Sequence, residues 1–72
     1  MEKDLPQGQQ DFLRHAMDVL RMTREEFSER IGTKKRALDN WLLPSSSAEF
    51  RAMPDMAWKF IREILRHHEE KS

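Results

Sequence analysis

Five polar side chains near the middle of the chain have the types and spacing needed to bind other molecules. Lys34, Lys35 and Arg36 are consecutive cations, and Asp39 and Asn40 follow about one helical turn later. Ammonium and guanidinium groups bind phosphate oxygens and the acceptor atoms of guanine, and an amide can pair with adenine. This chemistry is recognition through charge and hydrogen bonds, and no covalent bond is made or broken.

Residues suited to catalysis or metal binding are scarce. The chain contains no cysteine, and His15 has no serine or cysteine partner at a spacing typical of nucleophilic catalysis. His67 and His68 are adjacent, so on a helix they would point about 100° apart and could not grip one ion together. We therefore expect that the protein is not an enzyme and that it binds no metal, cofactor or small-molecule ligand.

Length and charge limit the remaining functions. With 72 residues the chain is large enough for one small domain, without room for a separate ligand-sensing module. It has 13 basic and 13 acidic residues, so the net charge gives no general attraction to a polyanion. Residues 21–43 contain six cations and four anions, a local excess of two positive charges. Any binding to nucleic acid must therefore depend on where the cations lie.

No apolar run approaches the roughly 20 residues that span a bilayer, and no signal-peptide pattern is present. We expect a soluble, cytoplasmic protein that does not associate with membranes.

Hydrophobic periodicity predicts a first helix over residues 9–21. Thr23 can cap a second helix over 23–31, and Glu26 three residues later completes the capping-box pattern. Gly32 should end that helix, because glycine adopts the positive φ of a helix terminus without strain.

A third helix is predicted over residues 33–43, with Thr33 as its N-cap. Leu38 and Trp41 are spaced to face the core and leave the charged residues outside. Pro44 should stop this helix, and a polar connector should follow as far as Pro54.

A fourth helix is predicted over residues 54–68, and its apolar residues spread over roughly 200° of the helix circumference. This arc is wider than one core contact requires, so we expect one side to pack inward and another to contact a partner chain. The residues predicted to divide between core and dimer contact are Met56, Trp58, Phe60, Ile61, Ile64 and Leu65. The sequence thus predicts an all-α, four-helix compact domain over residues 1–72.

The segment from Thr23 to Trp41 resembles the helix-turn-helix of the phage Cro and lambda-repressor superfamily. The resemblance covers about a third of the chain and includes a small residue, Ser28, where the two helices would cross. Its motif residues are Thr23, Glu26, Phe27, Ser28, Ile31, Gly32, Thr33, Lys34, Leu38 and Trp41.

Such a resemblance implies that the helix from Thr33 to Leu43 is a recognition helix that lies in the major groove of double-stranded DNA. The residues that would contact bases are Lys34, Lys35, Arg36, Asp39 and Asn40; alternatively, Asp39 braces Arg36 or Lys35. The residues that would contact phosphates are Thr23, Arg24, Thr33, Ser45, Ser46 and Ser47.

From these patterns we expect a sequence-specific transcriptional repressor that binds a palindromic operator as a homodimer. Two reading helices about 34 Å apart double the site and the counterion release of one. The compact design without a sensor is typical of a phage or plasmid regulator.

Two other classes fit the same residues. One is a protein-interaction module, such as an antitoxin or adaptor, that binds its partner through the apolar C-terminal helix. The other is a nucleoid-coating protein, which would bind DNA weakly, without sequence preference and with a steep salt dependence.

Overall fold

The computed structural model describes residues 8–71, and α-helices make up most of that range. The helices are α1 (Gly8–Leu20), α2 (Arg24–Ile31), α3 (Lys35–Leu42) and α4 (Asp55–Lys71). The predicted all-α fold of four helices is confirmed. Each helix begins one or two residues from its predicted start, and α4 continues beyond the predicted end at residue 68. Residues 1–7 and 72 of the predicted domain lie outside the described range.

The core lies where α1 and α2 each pack against both α3 and α4. Its largest fully buried side chains come one from each helix, so no helix could be removed without opening the core. Each such side chain contributes roughly 1.5–3 kcal/mol through burial. The buried apolar residues are Leu13, Ala16, Phe27, Leu38, Leu42, Met53, Ile61 and Ile64.

The start of α2 has the predicted capping box. The Glu26 amide donates to Thr23 Oγ1 at 3.1 Å, and the Thr23 amide donates to Glu26 Oε1 at 2.8 Å. Two amide groups that the helix cannot satisfy itself are thereby paired.

The ends of α1 and α2 have the same geometry although their sequences differ. Gly32 has φ 75°, and the Gly32 and Thr33 amides donate to Glu29 O and Ser28 O. Arg21 has φ 57°, and the Arg21 and Met22 amides donate back to α1 in the same pattern. Both ends are therefore Schellman turns, although only the one at Gly32 has the residue that favours the positive φ.

The start of α3 differs from the prediction that Thr33 caps it. The N-cap residue is Lys34, and no side chain accepts a hydrogen bond from the first turn. The physical reason is that Thr33 still belongs to the turn that ends α2, since its amide donates to Ser28 O at 2.9 Å. The N-cap consequently lies one residue later than predicted, and no side chain caps the helix.

The connector between α3 and α4 is fixed to α1 by Gln9. Its Nε2 donates to the carbonyl oxygens of Trp41 at 2.9 Å and Arg51 at 2.8 Å. Its Oε1 accepts from the Met53 amide at 2.9 Å. The neighbouring Gln10, buried at 2% exposure, donates to Leu43 O. These bonds fix where α3 ends and where the chain turns towards α4.

Within residues 8–71, no helix combines the length and the hydropathy needed to cross a bilayer.

Candidate functional site

The two sides of α3 differ in burial and chemistry. Leu38 and Leu42 lie one helical turn apart and are buried against the other helices. Because they occupy the inner side, the side chains of Lys34, Lys35 and Arg36 are all exposed at the start of the helix. The three predicted cations are therefore all exposed at the start of α3, and we use the name α3 face for these residues together with Asp39, Asn40 and Arg24.

An ion-pair cluster at the centre of the α3 face joins α2 to α3. Asp39 Oδ1 accepts from Arg24 Nη1 at 3.0 Å, and Asp39 Oδ2 accepts from Lys35 Nζ at 3.2 Å. The sequence left open whether Asp39 reads a base or braces a neighbouring cation. In this structure Asp39 forms an ion pair with Lys35, which was one of the alternatives. Its second partner is Arg24 and not Arg36.

The pKa of Asp39 reflects this cluster. Partial loss of solvent acts to raise it, but the hydrogen bonds and charges of Lys35 and Arg24 outweigh that effect. The pKa consequently lies below the ordinary value of 3.8, and Asp39 is ionised at neutral pH.

Lys34 and Arg36 lie beside this cluster but take no part in it. Within residues 8–70, neither side chain forms a hydrogen bond or an ion pair. They are therefore the members of the basic run whose charge is not compensated by a direct partner. They also flank the uncapped start of α3, where the first amide groups need an acceptor from outside the helix.

The other polar residues predicted to contact DNA have varied positions. Asn40 is half-buried, and its main-chain oxygen accepts from the Leu43 and Arg51 amides. Ser45 and Ser46 are exposed on the connector, whereas Ser47 Oγ accepts from the Glu49 amide. Thr23 Oγ1 is engaged in the cap of α2, and Thr33 is half-buried beside an apolar groove.

A second candidate surface, the α4 groove, lies between α4 and the turn from α2 to α3. It is an open depression of about 550 Å³. Met56 is 78% exposed and Phe60 44% exposed at its edge, and both were predicted to contact a partner chain. The residues that line the α4 groove are Ile31, Thr33, Trp41, Pro54, Met56, Ala57 and Phe60.

Of the six residues predicted to divide between core and dimer contact, the other four lie on the core side and are not available to a partner chain. Ile61 is fully buried and Ile64 is 6% exposed, because both face the core. Trp58 stacks on Phe12 with ring centroids 4.7 Å apart, and Leu65 is half-buried against the core. Those four residues therefore stabilise the fold, and the exposed apolar surface of α4 is confined to one side.

No three metal-binding side chains lie together within residues 8–70. His67 Nε2 lies 3.5 Å from Glu63 Oε2, and Arg66 also pairs with that carboxylate.

Gln9 and Gln10 are the structural residues that the sequence patterns did not single out. Both lie in the first turn of α1, three residues before Phe12 and Leu13 respectively. A polar residue in register with an apolar stripe is the signal that could have identified them, since burial of an amide favours hydrogen bonds to main-chain groups.

Comparisons of the chain with protein-family models, with curated proteins and with solved structures give no match.

Proposed function

We propose that this protein is a sequence-specific DNA-binding regulator of transcription, most simply a cytoplasmic repressor, that inserts α3 into the major groove. The observation that carries the proposal is the α3 face. A short helix is held by Leu38 and Leu42 on its inner side and carries three exposed cations at its start. A helix is the element that the major groove admits, and charged side chains at its start reach base edges and phosphates.

The contacts on the α3 face suggest a division of roles. Lys34 and Arg36 form no pair within the described residues, so they are available to the acceptor atoms of guanine. Asn40 lies one turn after Arg36 and carries an amide suited to adenine. Arg24 and Lys35 lie at the helix starts, where they would position the protein on phosphates.

The uncapped start of α3 adds a second attraction for phosphate. Its first amide groups have no side-chain acceptor, and the positive end of the helix dipole lies there. A phosphate oxygen at this position would satisfy those donors and would lie beside Lys34. The absence of a cap would thus favour binding at a modest cost in helix stability.

The α4 groove supports a homodimer. One reading helix covers few base pairs, whereas two related by a two-fold axis read both halves of a palindromic operator. Met56 and Phe60 are the exposed large apolar residues among those described, and covering them in a second copy would remove apolar area from water. Repression would follow from occupation of the operator, with protein concentration as the control.

Selection of sites from random duplex DNA, followed by titration of the selected duplex, tests the proposal. We expect a palindrome and a loss of about 1–3 kcal/mol of binding free energy for Arg36→Ala, or about 5- to 150-fold in affinity. Arg14→Ala is the matched control, because Arg14 is an exposed arginine on α1. Failure to enrich any sequence, or equal losses for Arg36→Ala and Arg14→Ala, would contradict the proposal.

The α4 groove also favours a second candidate function, binding of a different protein by an adaptor or antitoxin. An exposed apolar groove is typical of helix recognition, and it needs no contribution from the cations of the α3 face. A chain that stays monomeric and shows no DNA affinity, yet whose binding to a partner protein is lost in Phe60→Ser, would favour this candidate.

A further inference from the structure

Asp39 is the acidic residue at the centre of the α3 face, and both of its carboxylate oxygens are engaged by cations. Arg24 donates at 3.0 Å and Lys35 at 3.2 Å. Arg24 is the first residue of α2 and Lys35 is the first residue of α3. One carboxylate thus connects the starts of the two helices that form the α3 face.

These ion pairs contribute little to folding. The side chains of Arg24, Asp39 and Lys35 are 51%, 35% and 54% exposed, and solvent screens pairs of that exposure strongly. Their main effect is on the positions of the cations. A cation at the start of a helix lies at the positive end of the dipole, and the charge of Asp39 offsets that repulsion for both.

We propose that Asp39 acts as a positioning residue that makes DNA binding selective, and that it does not read a base. The inference rests on the proposed function. A phosphate that approaches Arg24 or Lys35 has to displace a bound carboxylate and come close to its negative charge. Binding to random DNA depends on such phosphate contacts and bears this cost, whereas in the operator complex the base contacts of Lys34 and Arg36 hold the protein while Asp39 stays paired with Arg24 and Lys35.

The charges on the α3 face determine how much Asp39→Asn should change the salt dependence of DNA binding. Asp39→Asn removes the negative charge that lies among the four cations of the α3 face. Arg24 and Lys35 then both lose the carboxylate that holds them. Each additional phosphate neutralised steepens the dependence of the binding constant on salt by about 0.9 in a double-logarithmic plot. Release of two cations therefore steepens that slope by up to about 1.8.

The test measures affinity for the selected duplex and for a scrambled duplex between about 50 and 200 mM salt. For Asp39→Asn we expect about tenfold tighter binding to scrambled DNA, a steeper salt slope and a specificity ratio reduced at least about fivefold. Asp39→Glu keeps the charge and should retain most of the wild-type ratio. Circular dichroism should show unchanged helix content, since Asp39 lies at the surface.

A second variant separates positioning from a general change of charge. In the wild type, Arg24→Gln should alter affinity for scrambled DNA little, because Asp39 already holds Arg24. In the Asp39→Asn background the same change should cost several-fold, because Arg24 is then free to bind phosphate. Equal effects of Arg24→Gln in both backgrounds would overturn the inference.

The outcomes distinguish this inference from the proposed function. A wild-type protein that binds no duplex would overturn both. A wild-type protein that selects an operator, with a specificity ratio unchanged in Asp39→Asn, would overturn the role of Asp39 alone. Loss of preference at a single base pair in Asp39→Asn would instead assign base reading to Asp39, against the inference.

Discussion

Helices α3 and α4 each bury two aliphatic residues on their inner sides, but α3 exposes charged side chains whereas α4 exposes apolar ones. On α3 the buried residues are Leu38 and Leu42, and the outer side carries cations and a carboxylate. On α4 the buried residues are Ile61 and Ile64, and the outer side carries the exposed Phe60 beside an apolar groove. Packing thus fixes the orientation of each helix, and the residues left over determine which kind of partner it suits.

Leu38→Ala should have the largest effect on stability, because Leu38 anchors α3 in the core. Leu38 is fully buried, so we expect a loss of about 2–5 kcal/mol in the free energy of unfolding, measured by urea denaturation. Binding through the α3 face and binding through the α4 groove should both be lost. Arg36→Ala, on the outer side of the same helix, should change stability by less than about 0.5 kcal/mol. Similar losses for the two variants would contradict the assignment of inner and outer sides.

Gln9→Ala should come next, because Gln9 fixes the connector that joins the two surfaces. Loss of its three hydrogen bonds to the main chain should cost about 1–3 kcal/mol of stability. Gln9→Glu keeps only the acceptor for the Met53 amide and should also destabilise. His15→Ala, an exposed change on the same helix, serves as the control. Unchanged thermal unfolding of Gln9→Ala would mean that the connector is held by other contacts.

Phe60→Ser should affect the α4 groove and leave the α3 face unchanged. If the α4 groove forms the dimer contact, loss of this apolar side chain should weaken dimerisation about tenfold, as measured by sedimentation equilibrium. Affinity for a single half-site should stay the same, since Phe60 is not part of the α3 face. Lys59→Ser changes the adjacent exposed position as a control. Equal dissociation constants for both variants would exclude this face as the interface.

Titration of carboxyl groups should show the smallest effect and compares the two helices directly. Solvent loss acts to raise the pKa of Asp39, but Lys35 and Arg24 lower it below 3.8, and Arg66 lowers the pKa of Glu63 below 4.5. Because each pKa is lower in the folded state, each pairing stabilises above the unfolded pKa and is lost as pH falls through the folded value.

Carboxyl chemical shifts measured by NMR should therefore show both groups ionised at neutral pH, with changes confined to acid. The Asp39 midpoint should rise towards 3.8 in Lys35→Ala, while the Glu63 midpoint stays the same. An Asp39 midpoint that did not respond to Lys35→Ala would contradict the ion pair.

The sequence predicted several features that depend on local chemistry, although the N-cap of α3 was not among them. The capping box of Thr23 and Glu26 and the left-handed Gly32 involve residues close together in the chain, so their spacing was sufficient. The exposure of Lys34, Lys35 and Arg36 followed from the apolar spacing on the opposite side of the helix.

Three features were not predicted, and two of them depend on tertiary contacts. The bonds of Gln9 reach residues 32 to 44 positions away, and nothing near Gln9 in the chain indicates those partners. The burial of Ile61 and Ile64 depends on how α4 is rotated against α1 and α2, which a 200° apolar arc leaves undetermined. The positive φ of Arg21 lacked a signal because arginine does not favour that conformation.

The two tryptophans have different surroundings, and this gives each region its own optical reporter. Trp58 is stacked on Phe12 and lies under the Arg62 guanidinium, whereas Trp41 lines the α4 groove. A molecule bound in the groove should shield the indole of Trp41 from a soluble quencher more than that of Trp58. In a Trp58→Phe variant, intrinsic fluorescence would therefore follow occupancy of the groove alone, without an attached dye.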